Sequence, residues 1–384
     1  MDLELTEEQR IIQQTAREFA EKELAPVAAE LDRGADRKVF LENLGKLAGL
    51  GFMGLSVRSE YGGAEAGSVA LSVVITEIAR ACASTAVTVA VNNLVAELIQ
   101  AAGSEEQKTR HLHRICSGVY PAASLALTEP GAGSDSAALA ATAVLDNGEW
   151  VLNGSKIFIT SAPYAGVFAV FALTDKEAPK GKGISCFLVE AGTKGLGIGK
   201  EEHKMGQRAS ATNEVIFDNC RVPADALLGT LNTGFSSAAE GLAGSRINIG
   251  SLALGIGLAA MDYSAGYAAQ RAQFGQKISG FQAVQWMIAD SYTELEAARL
   301  LLMNAAARRE AGKSHTKEAS MGKMFATEAA NRACYSAIQI LGGYGYTDHF
   351  SAERYARDAR VTTIYEGTSE IQRLIIAREI LRSI

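Results

Sequence analysis

A carboxylate stands between an aromatic residue and a glycine near the carboxyl end of the chain, within residues 364–370. Ile364 and Tyr365 precede Glu366, Gly367 follows it, and hydroxyl residues come next. Apolar neighbours would remove water from Glu366 and raise its pKa toward the range that suits a general base. Gly367 would let another molecule approach the backbone closely. The segment therefore fits a buried base beside a ligand, and the alternative is a surface turn with a solvated glutamate.

Two other segments have the composition of a ligand site. Residues 127–135 follow an apolar run and contain two glycines and hydroxyl side chains, whose N–H and O–H groups could bind an anionic or carbonyl-rich ligand. Residues 156–161 alternate along a predicted strand, so that Phe158 and Thr160 share one face. An aromatic ring and a hydroxyl placed in this way could pack against a flat ring and donate to it. The alternatives are a plain turn and an ordinary core strand.

Glycine-broken helix ends form a third group. Arg271 comes at the end of a predicted helix, before Phe274 and Gly275. It could cap helix carbonyls or extend toward a phosphate. Residues 339–343 end another predicted helix at two glycines, either as a simple C-cap or as a backbone wall against a dinucleotide.

Composition excludes several function classes. The chain has 384 residues, a formal net charge of −6 and no long basic block, which argues against nucleic acid as a partner. Its five cysteines are scattered, and no histidine has a glutamate three residues before it, so we predict free thiols and no metal site. The acidic first residues resemble no signal peptide, and no uncharged apolar run is long enough to span a membrane. We therefore expect a cytoplasmic protein.

The hydrophobic pattern predicts three regions, with limits 1–120, 121–229 and 230–384. In the first, Thr6 and Gln9 form a capping box and residues 68–102 read as buried helices. In the second, Asn153-Gly154 signals a hairpin. The other strands predicted there are 167–173, 184–189 and 215–217. The helices predicted in the third region are 245–271, 280–311, 314–341 and 369–383, which favours an antiparallel bundle.

Taken together, five segments resemble the acyl-CoA dehydrogenase family over essentially the whole chain: residues 127–135, 153–160, 271–275, 339–345 and 365–378. The resemblance implies an α+β multidomain fold with an N-terminal helical domain, a middle antiparallel β domain and a C-terminal four-helix bundle. It also implies a homotetramer with one FAD per subunit, an acyl-CoA substrate and electron-transfer flavoprotein as the electron acceptor.

The resemblance carries roles to particular positions. Glu366 would remove the α-proton of the thioester while the β-hydrogen leaves as hydride to flavin N5, and its backbone N–H would bind the thioester carbonyl. The cofactor contacts implied are Leu125, Leu127, Thr128, Gly133, Ser134, Phe158, Ile159, Thr160, Arg271, Phe274, Gln282, Gln339, Ile340, Leu341, Gly342, Gly343, Thr368, Ser369 and Glu370. The substrate contacts implied are Ser134, Ser245, Arg246, Glu366, Gly367 and Arg378.

One departure from the family pattern concerns the CoA arm, because Ala243 stands where the family often has aspartate. The stretch 243–247 has no carboxylate, which leaves Glu366 as the base. Details such as 183–186 and 245–249 resemble short-chain and short-branched members, of the butyryl or isobutyryl type, in fatty acid or branched-chain amino acid catabolism. Two alternatives remain: an oxygen-using enzyme similar to acyl-CoA oxidases, which are usually longer, and a non-catalytic flavoprotein scaffold.

Overall fold

Helices build the first part of the chain. The computed structural model describes residues 4–34 and 36–382, apart from the side chains of 236–240. The helices of this part are α1 (Glu7–Phe19), α2 (Ala25–Asp32), α3 (Lys38–Gly49), α4 (Gly67–Ala81), α5 (Ala83–Ala102) and α6 (Glu105–Cys116). The predicted capping box is confirmed, because the Thr6 side chain accepts from the N–H of Gln9 and the Gln9 side chain accepts from the N–H of Thr6.

The buried helices α4 and α5 form the centre of this part, as predicted. Their side chains are buried along nearly the whole length, and they pack against the later helix bundle as well as against α1 and α3. Two apolar stretches, α5 and Gly241–Ala268, are long enough to cross a membrane, but both are mostly buried inside the structure. Core helices of globular proteins pass the same test, so this finding is weak evidence for a membrane span.

A sheet follows the first helices. Its strands are β1 (Ala122–Ala126), β2 (Thr142–Asp146), β3 (Glu149–Thr160), β4 (Ala165–Leu173), β5 (Ile184–Glu190), β6 (Leu196–Glu201), β7 (Thr212–Pro223) and β8 (Leu227–Leu228). The strand order is β6-β7-β3-β2-β4-β5-β8, and β1 pairs with β4. The pairings are antiparallel except for β1 with β4 and a single residue pair between β2 and β4. The three predicted strands all lie inside observed ones.

The predicted hairpin at Asn153-Gly154 is wrong. Strand β3 runs through both residues, and the hairpin turn is at Asn147-Gly148, where the φ angles are 51° and 85°. Two Asn-Gly pairs lie close together in the sequence, and the chain uses the first as the two-residue turn. At the second, the register shifts: Leu152 pairs with Cys220 and Gly154 with Phe217, so the opposite strand β7 has one extra residue and forms a bulge there.

The last part is a bundle. Its long helices are α7 (Gly234–Ala268), α8 (Gln282–Glu310), α9 (Thr316–Leu341) and α11 (Ser369–Arg382), with the short α10 (Ala352–Arg360) before the last. Between α7 and α8 lies a hairpin of β9 (Ala272–Gln273) and β10 (Gln276–Lys277). Helix α7 begins before the predicted start, and Ser383 lies outside the described residues. Apolar side chains of α7, α8 and α9 meet in one core cluster, which extends to α4.

Candidate active site

The turn that contains Glu366 has an unusual backbone. It connects a 3₁₀ turn (Val361–Thr363) to α11, and the φ angles of Glu366 and Gly367 are 56° and 89°. A side chain at Gly367 would also bring its Cβ to 2.7 Å from the Gln372 amide nitrogen. A non-glycine residue such as Glu366 at positive φ costs about 1–3 kcal/mol and persists where the surroundings hold it. Here the Gln372 amide donates to the carbonyls of Glu366 (3.2 Å) and Gly367 (2.9 Å).

The carboxylate of Glu366 is half-buried and lies against α7. The Ser245 hydroxyl donates to its Oε2 atom at 2.8 Å. Burial raises the pKa of Glu366, and the Ser245 hydrogen bond and the charges of Arg246 and Lys323 oppose that rise. A carboxylate with a raised pKa is a stronger proton acceptor than a solvated one, which is the property of a general base.

Arg246 has a donor without a partner. Its side chain is buried, and among the described residues its Nε atom has no hydrogen bond. Burial lowers the pKa of Arg246, while Glu366 raises it. Because an unsatisfied buried donor is costly, this N–H is suited to an acceptor atom of a ligand. Ser245 and Arg246 were predicted as substrate contacts, and the structure places both beside Glu366.

Lys323 is a residue of this site that the sequence analysis missed. It lies on α9 with a fully buried side chain, and its Nζ donates to the Gly367 carbonyl at 2.8 Å. Burial lowers its pKa to about 8. The signal that could have found it is a single lysine among small residues at helical spacing, since Ala319, Ala326 and Ala330 are also buried.

The turn also contacts the loop between β6 and β7. The Gln207 side-chain amide donates to the Tyr365 hydroxyl (3.2 Å) and to the Asp358 carbonyl (3.0 Å), and the Gln207 backbone N–H donates to the Asp358 carboxylate. Four loop residues further on, the carbonyl of Ala211 accepts from the N–H of Ser161 at the end of β3. This loop therefore contacts both Tyr365, the neighbour of Glu366, and the end of the strand that carries Phe158.

The predicted segments around β1 and β3 lie side by side. The Ser124 hydroxyl donates to the Thr160 carbonyl at 2.7 Å, and the Ile157 N–H donates to the Thr128 carbonyl at 2.9 Å. This arrangement brings Leu125, Leu127 and Thr128 next to Phe158, Ile159 and Thr160. The Phe158 ring is 59% exposed, whereas Leu127 and Ile159 are buried and contribute mainly backbone to any outward surface.

A buried ion pair fixes the loop that follows β1, and the sequence analysis missed it too. Lys156 Nζ lies 2.6 Å from Glu129 Oε1 and donates to the Leu127 carbonyl at 3.2 Å. The Glu129 carboxylate also accepts from the N–H groups of Ala140 (2.6 Å) and Ala141 (3.0 Å). The loop is therefore held at both ends, and Gly133 and Ser134 between them are exposed.

The remaining predicted cofactor residues form a second, exposed group. Arg271, Phe274 and Gln282 are exposed, as are Gln339, Gly342 and Gly343, whereas Ile340 and Leu341 are buried. The Arg271 guanidinium lies 5.9 Å from the ring centroid of Tyr344, next to the glycine turn. Among the described residues, no hydrogen bond, ion pair or ring contact joins this group to the segments around β1 and β3.

The residues after Glu366 have mixed positions. The Thr368 hydroxyl accepts from the Ile371 N–H at 3.3 Å and so caps α11. Ser369 is buried with no hydrogen bond from its Oγ among the described residues, and Glu370 is exposed. Arg378 is exposed on α11, and no hydrogen bond or ion pair in the described chain joins it to Glu366. Among the residues that the structure describes, no group of three or more His, Cys, Asp or Glu side chains could hold a metal.

Sequence models of three protein-family domains match consecutive parts of the chain. The N-terminal domain of acyl-CoA dehydrogenase matches residues 6–119, its middle domain matches 124–220 and its C-terminal domain matches 232–381. A short-chain specific acyl-CoA dehydrogenase of Clostridium acetobutylicum is 42% identical over 100% of both chains. The chain belongs to the acyl-CoA dehydrogenase family. Acyl-CoA dehydrogenases are FAD-dependent flavoproteins, so this chain is an oxidoreductase with FAD as its cofactor.

Other similar proteins cover the same length. The acryloyl-CoA reductase (NADH) of Anaerotignum propionicum is 45% identical over 100% of this chain and 96% of its own. Among solved structures, butyryl-CoA dehydrogenase from Megasphaera elsdenii has a TM-score of 0.96 and 37% identity over 100% of both chains. A chain from a structure of the electron transferring flavoprotein of Acidaminococcus fermentans has a TM-score of 0.96 and 42% identity over 100% of both. The predicted family and three-part fold are confirmed.

The surface beside Phe158 fits a flavin. Phe158 has a φ of 58° in an otherwise extended strand, which turns its exposed ring out of the regular alternation. A Cβ added to Gly133 would meet no atom within 4 Å, so the loop leaves open space above its backbone. The same holds for Gly342 and Gly343 in the second group. An exposed ring beside donor-rich backbone suits a flat, phosphate-bearing cofactor.

Proposed function

We propose that this acyl-CoA dehydrogenase oxidises a short or short-branched acyl-CoA thioester to the trans-2-enoyl-CoA, with Glu366 as the proton acceptor. The observation that carries the proposal is the Glu366 carboxylate itself, half-buried with a raised pKa and bonded to Ser245 at 2.8 Å. Because Ser245 donates to Oε2, the Oε1 atom is left to take the proton from the α carbon of the substrate.

The backbone of the same residue supports the second half of the proposal. No hydrogen bond among the described residues uses the N–H of Glu366. That donor can bind the thioester carbonyl and stabilise the negative charge that develops on it as the proton leaves. Arg246, with its unpartnered Nε, would bind a polar atom of the CoA thioester. Bound FAD supplies the acceptor for the hydride that leaves the β carbon.

The segments around β1 and β3 and the exposed group near Arg271 would together hold the cofactor. The segments Leu125–Thr128 and Phe158–Thr160 would flank the flavin ring, and Gly133 and Ser134 would contact its phosphate arm. Arg271, Phe274, Gln282 and the turn at Gly342-Gly343 would bind the adenosine end, from a neighbouring subunit. Thr368 already caps a helix, so its contribution would come beside that hydrogen bond.

We propose electron-transfer flavoprotein as the electron acceptor. Support comes from the similarity to the Acidaminococcus fermentans chain, whose structure concerns such a flavoprotein. The short chain length of the substrate is supported by relatives named short-chain specific and butyryl-CoA dehydrogenase. Cytoplasmic localisation stays a prediction of the sequence.

The test is bleaching of the purified yellow protein under argon by butyryl-CoA, isobutyryl-CoA and a long-chain acyl-CoA. Rapid loss of flavin absorbance with the short thioesters supports the proposal, and no loss with any thioester refutes catalysis and favours a scaffold. Fast recolouring in air without an added acceptor would favour the oxygen-using alternative. Bleaching by the long-chain thioester alone would contradict the proposed chain length.

A second candidate function is the reverse reaction, reduction of a short enoyl-CoA. The observation that favours it is the 45% identity over the full chain with a protein named acryloyl-CoA reductase (NADH). Glu366 would then return its proton to the α carbon, because a base in one direction is the acid in the other. Rates with butyryl-CoA and a ferrocenium acceptor, against acryloyl-CoA and a reduced viologen donor, decide between the two.

A homotetramer also belongs to the proposal. The side chain of Phe274 is 94% exposed at the tip of the β9–β10 hairpin, and Trp286 and Tyr346 are 62% and 87% exposed. Exposed aromatic side chains are typical of an interface. Light scattering on the wild type and on Phe274→Ser measures the subunit number, and a monomeric wild type would refute this part alone.

A further inference from the structure

We propose that Lys323 is a positioning residue for the base: it clamps the Glu366–Gly367 turn through the Gly367 carbonyl and places a positive charge beside the Glu366 carboxylate. This inference rests on the proposed role of Glu366. Lys323, a buried lysine of α9, would act on the reaction through the main chain of the turn and would not contact the substrate.

The geometry of the clamp is specific. Lys323 Nζ, on α9, donates to the Gly367 carbonyl at 2.8 Å, and the Gln372 amide, on α11, donates to the same carbonyl at 2.9 Å. Two helices, α9 and α11, therefore hold one carbonyl. The Gln372 amide also donates to the Glu366 carbonyl at 3.2 Å, so the peptide planes on both sides of the Gly367 Cα are held, which restricts the backbone of the turn that carries the Glu366 side chain.

The charge of Lys323 is enclosed. Its side chain is 0% exposed, and the groups that face it are Glu366 in the turn, Arg246 on α7, Glu370 on α11 and Glu328 on α9. Within the part of the chain that the structure describes, Lys323 forms no ion pair within 4 Å, so its charge acts on the Glu366 carboxylate from beyond direct contact. Burial lowers the pKa of Lys323 to about 8 and the three carboxylates oppose this, which keeps the side chain cationic at neutral pH.

A purely structural role accounts poorly for a lysine here. A neutral donor would satisfy the Gly367 carbonyl, as Gln372 already does. Removing an ammonium group from water costs several kcal/mol, so a buried lysine persists where its charge is used or compensated. The compensating charge comes from the carboxylates of Glu366, Glu370 and Glu328, and the ionised form of Glu366 is the one that the reaction needs.

The experiment compares four holoenzyme variants with the wild type. Lys323→Gln removes the charge but can still donate to Gly367, whereas Lys323→Met removes both. Gln372→Met removes the second clamp and leaves the charge. Thr327→Val is the control, because Thr327 is buried one turn further along α9 and its hydroxyl bonds only within the helix.

Two readouts separate clamp from charge. Infrared titration of the Glu366 carboxyl, taken as the difference from Glu366→Gln, needs no turnover. Both Lys323 variants should titrate at higher pH than the wild type, and Gln372→Met and Thr327→Val should not. Steady-state oxidation of butyryl-CoA with a ferrocenium acceptor should show a kcat on the order of tenfold or more lower in Lys323→Met and Gln372→Met, with KM nearly unchanged.

Each outcome decides something. If Lys323→Gln titrates like the wild type, the charge has no role and the inference is overturned. If the Lys323 variants do not fold, a Gln372→Met variant with unchanged kcat or a shifted titration overturns the clamp. The proposed function fails separately, when the wild type itself is not bleached, because the infrared titration reports on Lys323 without substrate.

Discussion

The hydroxyl of Ser245 donates to Oε2 of Glu366 at 2.8 Å and so joins α7, the first helix of the bundle, to the turn that precedes α11, the last helix. The two residues are far apart in sequence, and the contact exists only when α7, α9 and α11 are packed. The state of the base therefore depends on the whole bundle. Its pKa is the balance of burial, which raises it, and of Ser245, Arg246 and Lys323, which lower it.

Ser245→Ala should make the base harder to ionise. The hydroxyl stabilises the charged carboxylate, so its removal raises the Glu366 pKa and moves the acid limb of the rate profile to higher pH. On that limb, the rate of flavin reduction should fall roughly tenfold, since a hydrogen bond to a charged group contributes about 1.5–3 kcal/mol. Stopped-flow measurements of flavin reduction from about pH 5 to about pH 9 give the pH profile of this rate.

The matched control for that change is Ser251→Ala. Ser251 is buried on the same helix, and its hydroxyl lies 2.6 Å from Ser72, away from the carboxylate. Its profile should superpose on that of the wild type. An unshifted acid limb in Ser245→Ala would show that the hydroxyl does not tune the base.

Glu366→Gln should keep FAD and thioester binding but lose flavin reduction. Glutamine preserves the volume and can still accept from Ser245, whereas it cannot take the proton. Loss of a general base costs at least ~10²–10⁴-fold in rate. Anaerobic stopped-flow absorbance measures the rate, and Glu379→Gln on the outer face of α11, where Glu379 pairs with Arg382 at 3.0 Å, is the control. A rate near that of the wild type would show that the proton goes elsewhere.

Lys156→Met should destabilise the protein and weaken FAD binding. Lys156 and Glu129 are 0% and 6% exposed and lie 2.6 Å apart, so the change leaves a buried carboxylate with only backbone donors. Breaking one partner of a buried pair costs about 3–5 kcal/mol. Chemical unfolding gives the stability, and flavin fluorescence after dilution gives the FAD release.

The comparison for that pair is Lys180→Met. Lys180 forms an ion pair with Asp135 near the same loop, but both side chains are more than half exposed. Exposed pairs contribute about 0–1 kcal/mol, so this variant should unfold close to the wild type and retain FAD. Equal losses of stability in the two variants would contradict the importance of burial.

The sequence could predict Glu366 as the base because the signal for it is local. Tyr365, Glu366 and Gly367 are consecutive, and the desolvating and permissive neighbours can be read directly beside the carboxylate. Lys323 gave no such signal, because its acceptor is a main-chain carbonyl 44 residues away and a lysine in a helix is ordinarily solvated. The ion pair of Lys156 and Glu129 was missed for the same reason, since 27 residues separate them.

Turn chemistry identified the wrong hairpin. Asn147-Gly148 and Asn153-Gly154 carry the same residue types, and only the strand pairing distinguishes them: β2 and β3 close on the first, while β7 pairs across the second. The contact of Gln207 with Tyr365 could not be predicted from the sequence pattern either, since it joins a loop of the sheet to a turn of the bundle. Local signals therefore predicted elements and the base, and tertiary contacts supplied the groups that tune it.

Asp358 on α10 should make stability depend on pH. It is buried and accepts from the backbone N–H of Gln207, and burial raises its pKa from 3.8 to about 6, against the opposing effects of that hydrogen bond and of Arg354 and Arg357. Between about pH 4 and pH 6 the folded protein holds a proton that the unfolded chain has released. The free energy of unfolding should therefore fall as pH rises through this range, by about 3 kcal/mol.

Asp358→Asn removes this titration and can still accept from Gln207. The difference in free energy of unfolding between variant and wild type should grow in favour of the variant from about pH 4 to pH 6 and then stay constant. Chemical unfolding of both proteins across that range measures it, with Asp348→Asn as the control because the Asp348 side chain is 70% exposed. Parallel curves for Asp358→Asn and the wild type would mean that Asp358 titrates alike in the folded and unfolded chains.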